Sequence, residues 1–182
     1  MIEELKFNMI NNSDATILIV DDEANIRSSL SSILLDEGYK VLTASTGEAA
    51  IELLKVERPS VVLLDVWLPK MDGIDTLKAI KKLNDAIPVI VMSGHGTVKT
   101  AVDAVQLGAF DFIEKPLSID KILVALTNVL KISDLSSENE ALKKKVMRNY
   151  KIVGKTKIIE ELKSRITLAA PAASSVLIFG EN

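Results

Sequence analysis

Between residues 16 and 130 the apolar positions alternate between two patterns: short continuous runs, and longer stretches with helical spacing. Thr16–Val20 (TILIV) is an apolar, β-branched run. It is followed by Asn25–Asp36, where Ile26, Leu30, Ile33 and Leu34 share one helical face and Gly38 supplies the stop. The same alternation gives a strand at Lys40–Ala44 and a helix at Thr46–Val56, then a strand at Ser60–Leu64 and a helix at Ile74–Leu83. A strand at Ile87–Met92 precedes a helix at Val98–Leu107 closed by Gly108. Phe110–Glu114 is a fifth strand, and a last helix opens at Ser118. Strands that are apolar throughout, rather than at every second position, belong to a parallel sheet covered on both faces. Five βα units in this length predict a doubly wound α/β domain with right-handed crossovers, whose ligands gather beyond the carboxyl ends of the strands.

The last helix runs past the point where such a domain should close, with no Gly or Pro from Ile119 to Met147. Within it Ile132, Leu135, Asn139, Leu142 and Val146 alternate in steps of three and four, an a/d heptad seam with Asn139 at an a position. The expectation is a short dimerising linker; the plainer alternative is an amphipathic helix that packs on its own domain. Farther on, Ile158, Ile159, Leu162 and Ile166 mark another amphipathic helix, and Ser175–Phe179 reads as a strand entering a Gly turn. That strand has no visible partner, so the sequence is expected to be a fragment of a longer protein.

Composition narrows the chemistry. The 182 residues contain no cysteine and one histidine, which excludes disulfides and sites built on Cys or several His. The longest apolar runs are too short to span a bilayer, and residues 1–14 read as an extension without the features of a secretory signal, so a cytoplasmic protein without membrane contact is expected. Net charge is −3 but uneven: residues 133–182 hold 9 Lys+Arg against 6 Asp+Glu, leaving 13 against 19 in residues 1–132. An acidic first domain does not suit direct nucleic-acid binding, whereas it does suit carboxylates grouped around a cation.

The chemistry-bearing residues stand at the strand ends. Strand one runs into Asp21-Asp22-Glu23, strand three into Asp65, strand four into Ser93-Gly94, and strand five into Glu114-Lys115-Pro116. Carboxylates brought together repel unless a cation joins them. Oxygen donors without His or Cys select a hard ion, Mg²⁺ first, with Mn²⁺ as a second candidate. The alternative for Asp21-Asp22 is a helix N-cap. Asp65 can serve as a nucleophile toward phosphorus, with the metal and Lys115 neutralising phosphoryl oxygens and Ser93 donating a hydrogen bond.

IVDDE, VLLDVWLPKMDG, VMSGHGT and FDFIEKP resemble, in order and spacing, the receiver domains of two-component response regulators, over about Thr16–Leu130. The resemblance implies a flavodoxin-like fold with strand order 2-1-3-4-5. Asp65 becomes the phosphoacceptor, and Asp21, Asp22, Asp65 and the backbone carbonyl of Trp67 the Mg²⁺ ligands. Ser93, Lys115 and Phe112 become the switch residues, with Lys115-Pro116 similar to the family's cis peptide bond. Phe112 stands where Tyr is common, so a hydroxyl is missing; a plain core aromatic is the alternative. Trp67 and His95 lie two residues beyond Asp65 and Ser93, where they flank the phosphate or are simply surface loop residues.

SGHGTVKTAVDAVQLGAFDFIEKP is further similar to receivers of the NtrC-like class, including NtrX-type regulators. IVGKTKIIEELKSRI…SSVLIFGEN resembles the start of the AAA+ domain of sigma-54-dependent activators. The chain ends at Gly180-Glu181-Asn182, before any phosphate-gripping Lys-Ser/Thr, so no nucleotide is expected in this segment and the chain is not expected to be an enzyme. The implied organisation is an extension (1–14), a receiver (15–131), a helical linker (132–149) and the beginning of an AAA+ domain (150–182). The implied partners are a sensor histidine kinase, a second copy of the chain and, through domains outside it, sigma-54 RNA polymerase and DNA. Two other readings compete. A stand-alone receiver would act by docking alone. A phosphatase of the haloacid-dehalogenase kind would need Asp-x-Asp where this chain has Asp65-Val66-Trp67.

Overall fold

The computed structural model describes residues 14–94, 98–133, 152 and 154–171, with side chains from 101 onward in the second segment. The chain divides into two units, Met1–Leu135 and Ser136–Asn182. The expectations for His95, for Leu135, Asn139, Leu142 and Val146, and for a strand at Ser175–Phe179 lie outside the described residues.

In the first unit, strands and helices alternate as β1 (Thr16–Val20), α1 (Ala24–Asp36), β2 (Lys40–Ala44), α2 (Gly47–Val56), β3 (Val61–Asp65), α3 (Gly73–Leu83), β4 (Val89–Ser93), α4 (Val98–Gln106) and β5 (Asp111–Glu114). A further helix, α5, covers residues 119–133. The strands form one sheet in the order β2-β1-β3-β4-β5, and every pairing is parallel.

The continuous apolar runs are explained by two cores. Successive residues of a strand face opposite sides, so Ile17, Ile19, Leu63, Ile90 and Met92 pack with Leu30 and Leu34 of α1 and Ile122, Leu126 and Val129 of α5. Leu18, Val20, Val62, Leu64, Val89 and Val91 pack on the other face with Ala50, Leu54, Leu77, Ile80 and Ala104 from α2, α3 and α4. β3 and β4 are buried at every position. At about 1.5–3 kcal/mol for each large apolar side chain, they are the firmest part of the sheet, and they deliver Asp65 and Ser93. The edge strands β2 and β5 each include two exposed residues instead.

Local signals account for the ends of elements. Gly38 takes φ 87, which lets Tyr39 N–H bond the Leu34 carbonyl at 2.9 Å and close α1. Thr46 is the N-cap of α2 rather than its first residue: its hydroxyl accepts from Ala49 N–H at 3.2 Å. β4 starts at Val89, not Ile87. Pro88 has no N–H for the ladder, although its carbonyl still accepts from Val62 N–H at 3.0 Å.

In the second unit, Thr156 precedes α6 (Lys157–Ala169). Ile158, Leu162 and Ile166 lie on the face the sequence predicts, and all three are exposed. Lys163 Nζ bonds the Gly154 carbonyl at 3.0 Å. Among the described residues, no helix is long and apolar enough to cross a membrane.

Candidate functional site

The parallel register assembles the site. Val20 pairs with Leu64, so the next residues along the two strands, Asp21 and Asp65, stand side by side. Asp65 in turn pairs with Met92 and Ser93 pairs with Glu114, which sets Ser93 and Lys115 at the following step. Four distant segments thus converge at one edge of the sheet, as the sequence predicts.

Lys115 is the centre of this group. Its Nζ donates to Asp21 Oδ2 at 2.9 Å and to Asp65 Oδ2 at 2.8 Å. Glu23 Oε1 lies 4.0 Å away. The Lys115 backbone N–H donates to the Ser93 carbonyl at 2.7 Å, and the Lys115–Pro116 bond is cis. The carboxylate of Asp21 is fully buried and that of Asp65 nearly so. Asp65 Oδ1 accepts from Trp67 N–H at 3.3 Å, and Asp21 Oδ1 accepts from Glu23 N–H at 2.9 Å. The N-cap of α1 is Glu23, without a side-chain cap bond, so capping is not the role of Asp22.

The charges are finely set. Burial pushes the Asp65 carboxyl above its ordinary range; Lys115 pulls it back by hydrogen bond and charge, and Asp21 adds a further push upward. Burial alone would lower the Lys115 ammonium, but its bonds to Asp65 and Asp21 outweigh this and hold it above the usual lysine value. One ammonium therefore serves two buried carboxylates, and a net negative charge remains to attract a cation.

Asp21, Asp22 and Asp65 offer oxygens within 4.8 Å of one another, a donor set suited to a hard divalent ion. Asp22, Glu23, Asp65, Trp67, Gly94 and Lys115 line an open cleft of 730 Å³. Trp67 is 63% exposed at its rim. Ser93 is fully buried, and among the described residues its hydroxyl has no hydrogen-bond partner.

Phe112 is not brought into this cleft. It is half-buried against the core that holds Leu64 and Val91 and borders a separate hollow between β5 and α5, with Val124 and Asn128. Glu23, which the sequence places at the end of strand one, lies at the rim of the cleft. Two further residues belong to the site although the sequence reading did not single them out. Arg27 Nη1 donates to the carbonyls of Asp21 at 2.6 Å and Asp22 at 2.8 Å. Gly73 packs so tightly that a Cβ would overlap the backbone of Asp65 and Val66. The available signal for Arg27 was a cation in the first turn of a helix, where the dipole disfavours it.

The family model described as "Response regulator receiver domain" matches residues 17–127. A protein of Rickettsia bellii (strain RML369-C) described as an NtrX-like response regulator is 41% identical over 167 residues, which cover 91% of this chain and 35% of that protein. The transcriptional regulatory protein ZraR of Escherichia coli (strain K12) is 38% identical over 167 residues, covering 91% of this chain and 37% of that protein. The crystal structure of NtrX from Brucella abortus matches with a TM-score of 0.69 and 38% identity, over 87% of this chain and 35% of that one. The chain thus spans little more than a third of the length of these relatives.

Proposed function

This chain belongs to the response regulator receiver family, and from that premise we propose that it is the phosphate-accepting switch of a two-component transcription regulator, with Asp65 as the acceptor. The observation that carries the reading is the Lys115 ammonium held between the carboxylates of Asp21 and Asp65.

A histidine kinase presents a phosphoimidazole. One Asp65 oxygen attacks phosphorus in line, and the P–N bond breaks with its electron pair passing to the imidazole nitrogen, which takes up a proton. The product is an acyl phosphate on Asp65. Asp21, Asp22 and Asp65, with the Trp67 carbonyl, would hold Mg²⁺, which would supply charge neutralisation to the phosphoryl oxygens. Lys115 binds another of those oxygens, and the Ser93 hydroxyl donates a hydrogen bond to a further one. Ser93 and Phe112 then shift together and pass the change to the surface of β4, α4 and β5. Trp67, with His95, flanks the phosphate and limits the approach of water.

Residues 15–131 act as the receiver, 132–149 as a dimerising linker through Ile132, Leu135, Asn139, Leu142 and Val146, and 150–182 as the beginning of an AAA+ domain. In the longer protein, acting in the cytoplasm, phosphorylation would control sigma-54-dependent transcription. Intact-mass measurement after treatment with acetyl phosphate and Mg²⁺ tests the core of this. Wild-type protein should gain the mass of one phosphoryl group and Asp65→Asn should not; an unmodified wild type under conditions that preserve acyl phosphates sinks the reading.

A further inference from the structure

We infer that Arg27 is the positioning residue for the divalent cation: it does not touch the ion but fixes the backbone from which Asp21 and Asp22 reach it. This rests on the proposed function and goes beyond it, to a residue outside the ligand set.

Arg27 is the fourth residue of α1. A cation near a helix N-terminus stands against the macrodipole, so some other interaction has to hold it there. That interaction is a double hydrogen bond from one nitrogen, Nη1, to two successive carbonyls, at 2.6 Å to Asp21 and 2.8 Å to Asp22. These are the residues that carry two of the three acidic ligands. Asp21 is further fixed by its own contacts, since its carboxylate bonds Glu23 N–H and Lys115 Nζ and its N–H bonds the Ala44 carbonyl at 3.2 Å. Asp22 differs. It is exposed, and among the described residues its carboxylate has no hydrogen-bond partner. The tie from Arg27 to its peptide carbonyl is what restrains the position from which it reaches the Asp21–Asp65 pair.

Two effects of Arg27 on a bound cation have opposite signs, which makes the role separable. Its charge lies near the acidic loop and repels a second cation, so a purely electrostatic Arg27 weakens binding. A positioning Arg27 strengthens binding, because it holds Asp22 ready and spares the cost of ordering the loop. Partners that orient metal ligands typically change affinity by about 10–100-fold, and the hydrogen-bonded geometry makes positioning the larger effect.

The test is titration of the unphosphorylated full chain with Mg²⁺ alone. It is followed by fluorescence of Trp67, the single tryptophan, which lies on the rim of the cleft. Thermal unfolding is recorded in parallel in EDTA. Arg27→Ala is expected to raise the Mg²⁺ dissociation constant by about 10-fold. Arg27→Lys keeps the charge and a donor but on a shorter side chain that does not reach both carbonyls in the same way, and should also weaken binding, by less, while remaining folded. Tighter binding in Arg27→Ala assigns the residue a charge effect and overturns the proposal. An unchanged Mg²⁺ constant in both variants, with only a lower melting temperature in EDTA, leaves a structural staple of α1 and also overturns it. A wild type that binds no Mg²⁺ overturns the acceptor reading and this proposal with it, so the two failures are distinguishable.

Discussion

At the scale of single residues, the site is defined by the contest between Asp65 and Lys115. Burial makes the ionised Asp65 costly, and Lys115, shared with Asp21, only partly offsets that cost. The folded chain therefore holds a proton on Asp65 more tightly than the unfolded chain does. Such a group contributes stability that is fully present below the unfolded carboxyl value and is lost as pH rises through the raised folded value. At neutral pH without metal, ionised Asp65 thus destabilises the fold. Asp65→Asn removes the charge while its amide oxygen can still accept from Lys115. Its melting temperature in EDTA should exceed that of wild type at pH 7, and the difference should shrink toward zero as pH falls to about 4. A gain that does not change with pH, or a loss at pH 7, would refute this account of the site. The convergence of Asp21, Asp22, Asp65, Ser93 and Lys115 was legible in the sequence because each stands at the end of an apolar run. Arg27 was not, because its function goes through backbone carbonyls, and those leave no trace in the pattern of side chains.

At the scale of elements, α3 shows how closely a helix can be tied to the segment that carries Asp65. Asp72 caps it by accepting from Asp75 N–H at 2.7 Å, and Gly73 N–H bonds the Val66 carbonyl at 2.8 Å. The helix start is thereby tied to the strand extension just after Asp65. The loop between them turns through Lys70 at φ 68, and a side chain at Gly73 would meet the backbone of Asp65 and Val66 rather than a movable side chain. Gly73→Ala must displace one of the two backbones. It is expected to cost about 1–3 kcal/mol, seen as a lower midpoint in urea unfolding, and to slow phosphorylation by acetyl phosphate through displacement of Asp65. Phosphorylation at the wild-type rate in a destabilised variant would separate the two effects and deny the positional one. The helices and strands themselves were readable because their period is set by burial on both sheet faces. The Gly73 contact was not, since a glycine that avoids the backbone seven and eight residues earlier looks like any loop glycine. The start of β4 was misplaced for a related reason: Ile87 and Pro88 extend the apolar run, but hydrogen bonding, not hydropathy, decides where a strand begins.

At the scale of the whole molecule, the question is how a change at Asp65 reaches residues 132–149. A two-state switch that moves from 1:99 to 99:1 needs about 5.5 kcal/mol of differential interaction. One charge-assisted bond to Lys115 and one new acceptor for Ser93, each about 1–3 kcal/mol, are of that order together. The proposed seam is short, about two heptads, so the helix pair it forms should be weak, and a weak association is the kind that such an energy can govern. Ile132, the seam residue within the described segment, is 55% exposed at the end of α5, as a residue awaiting a partner would be. Sedimentation velocity of the full chain across a concentration series, with and without acetyl phosphate and Mg²⁺, should give two different dissociation constants, and Asp65→Asn should follow the untreated curve in both conditions. Leu135→Lys combined with Leu142→Lys places charges at seam positions and should abolish self-association in either state while leaving phosphorylation of Asp65 intact. Equal dissociation constants in the two states would detach the linker from the switch. A double-lysine variant that associates like wild type would move the contact to another surface, because two buried ammonium groups in so short a seam leave it too little apolar area to hold.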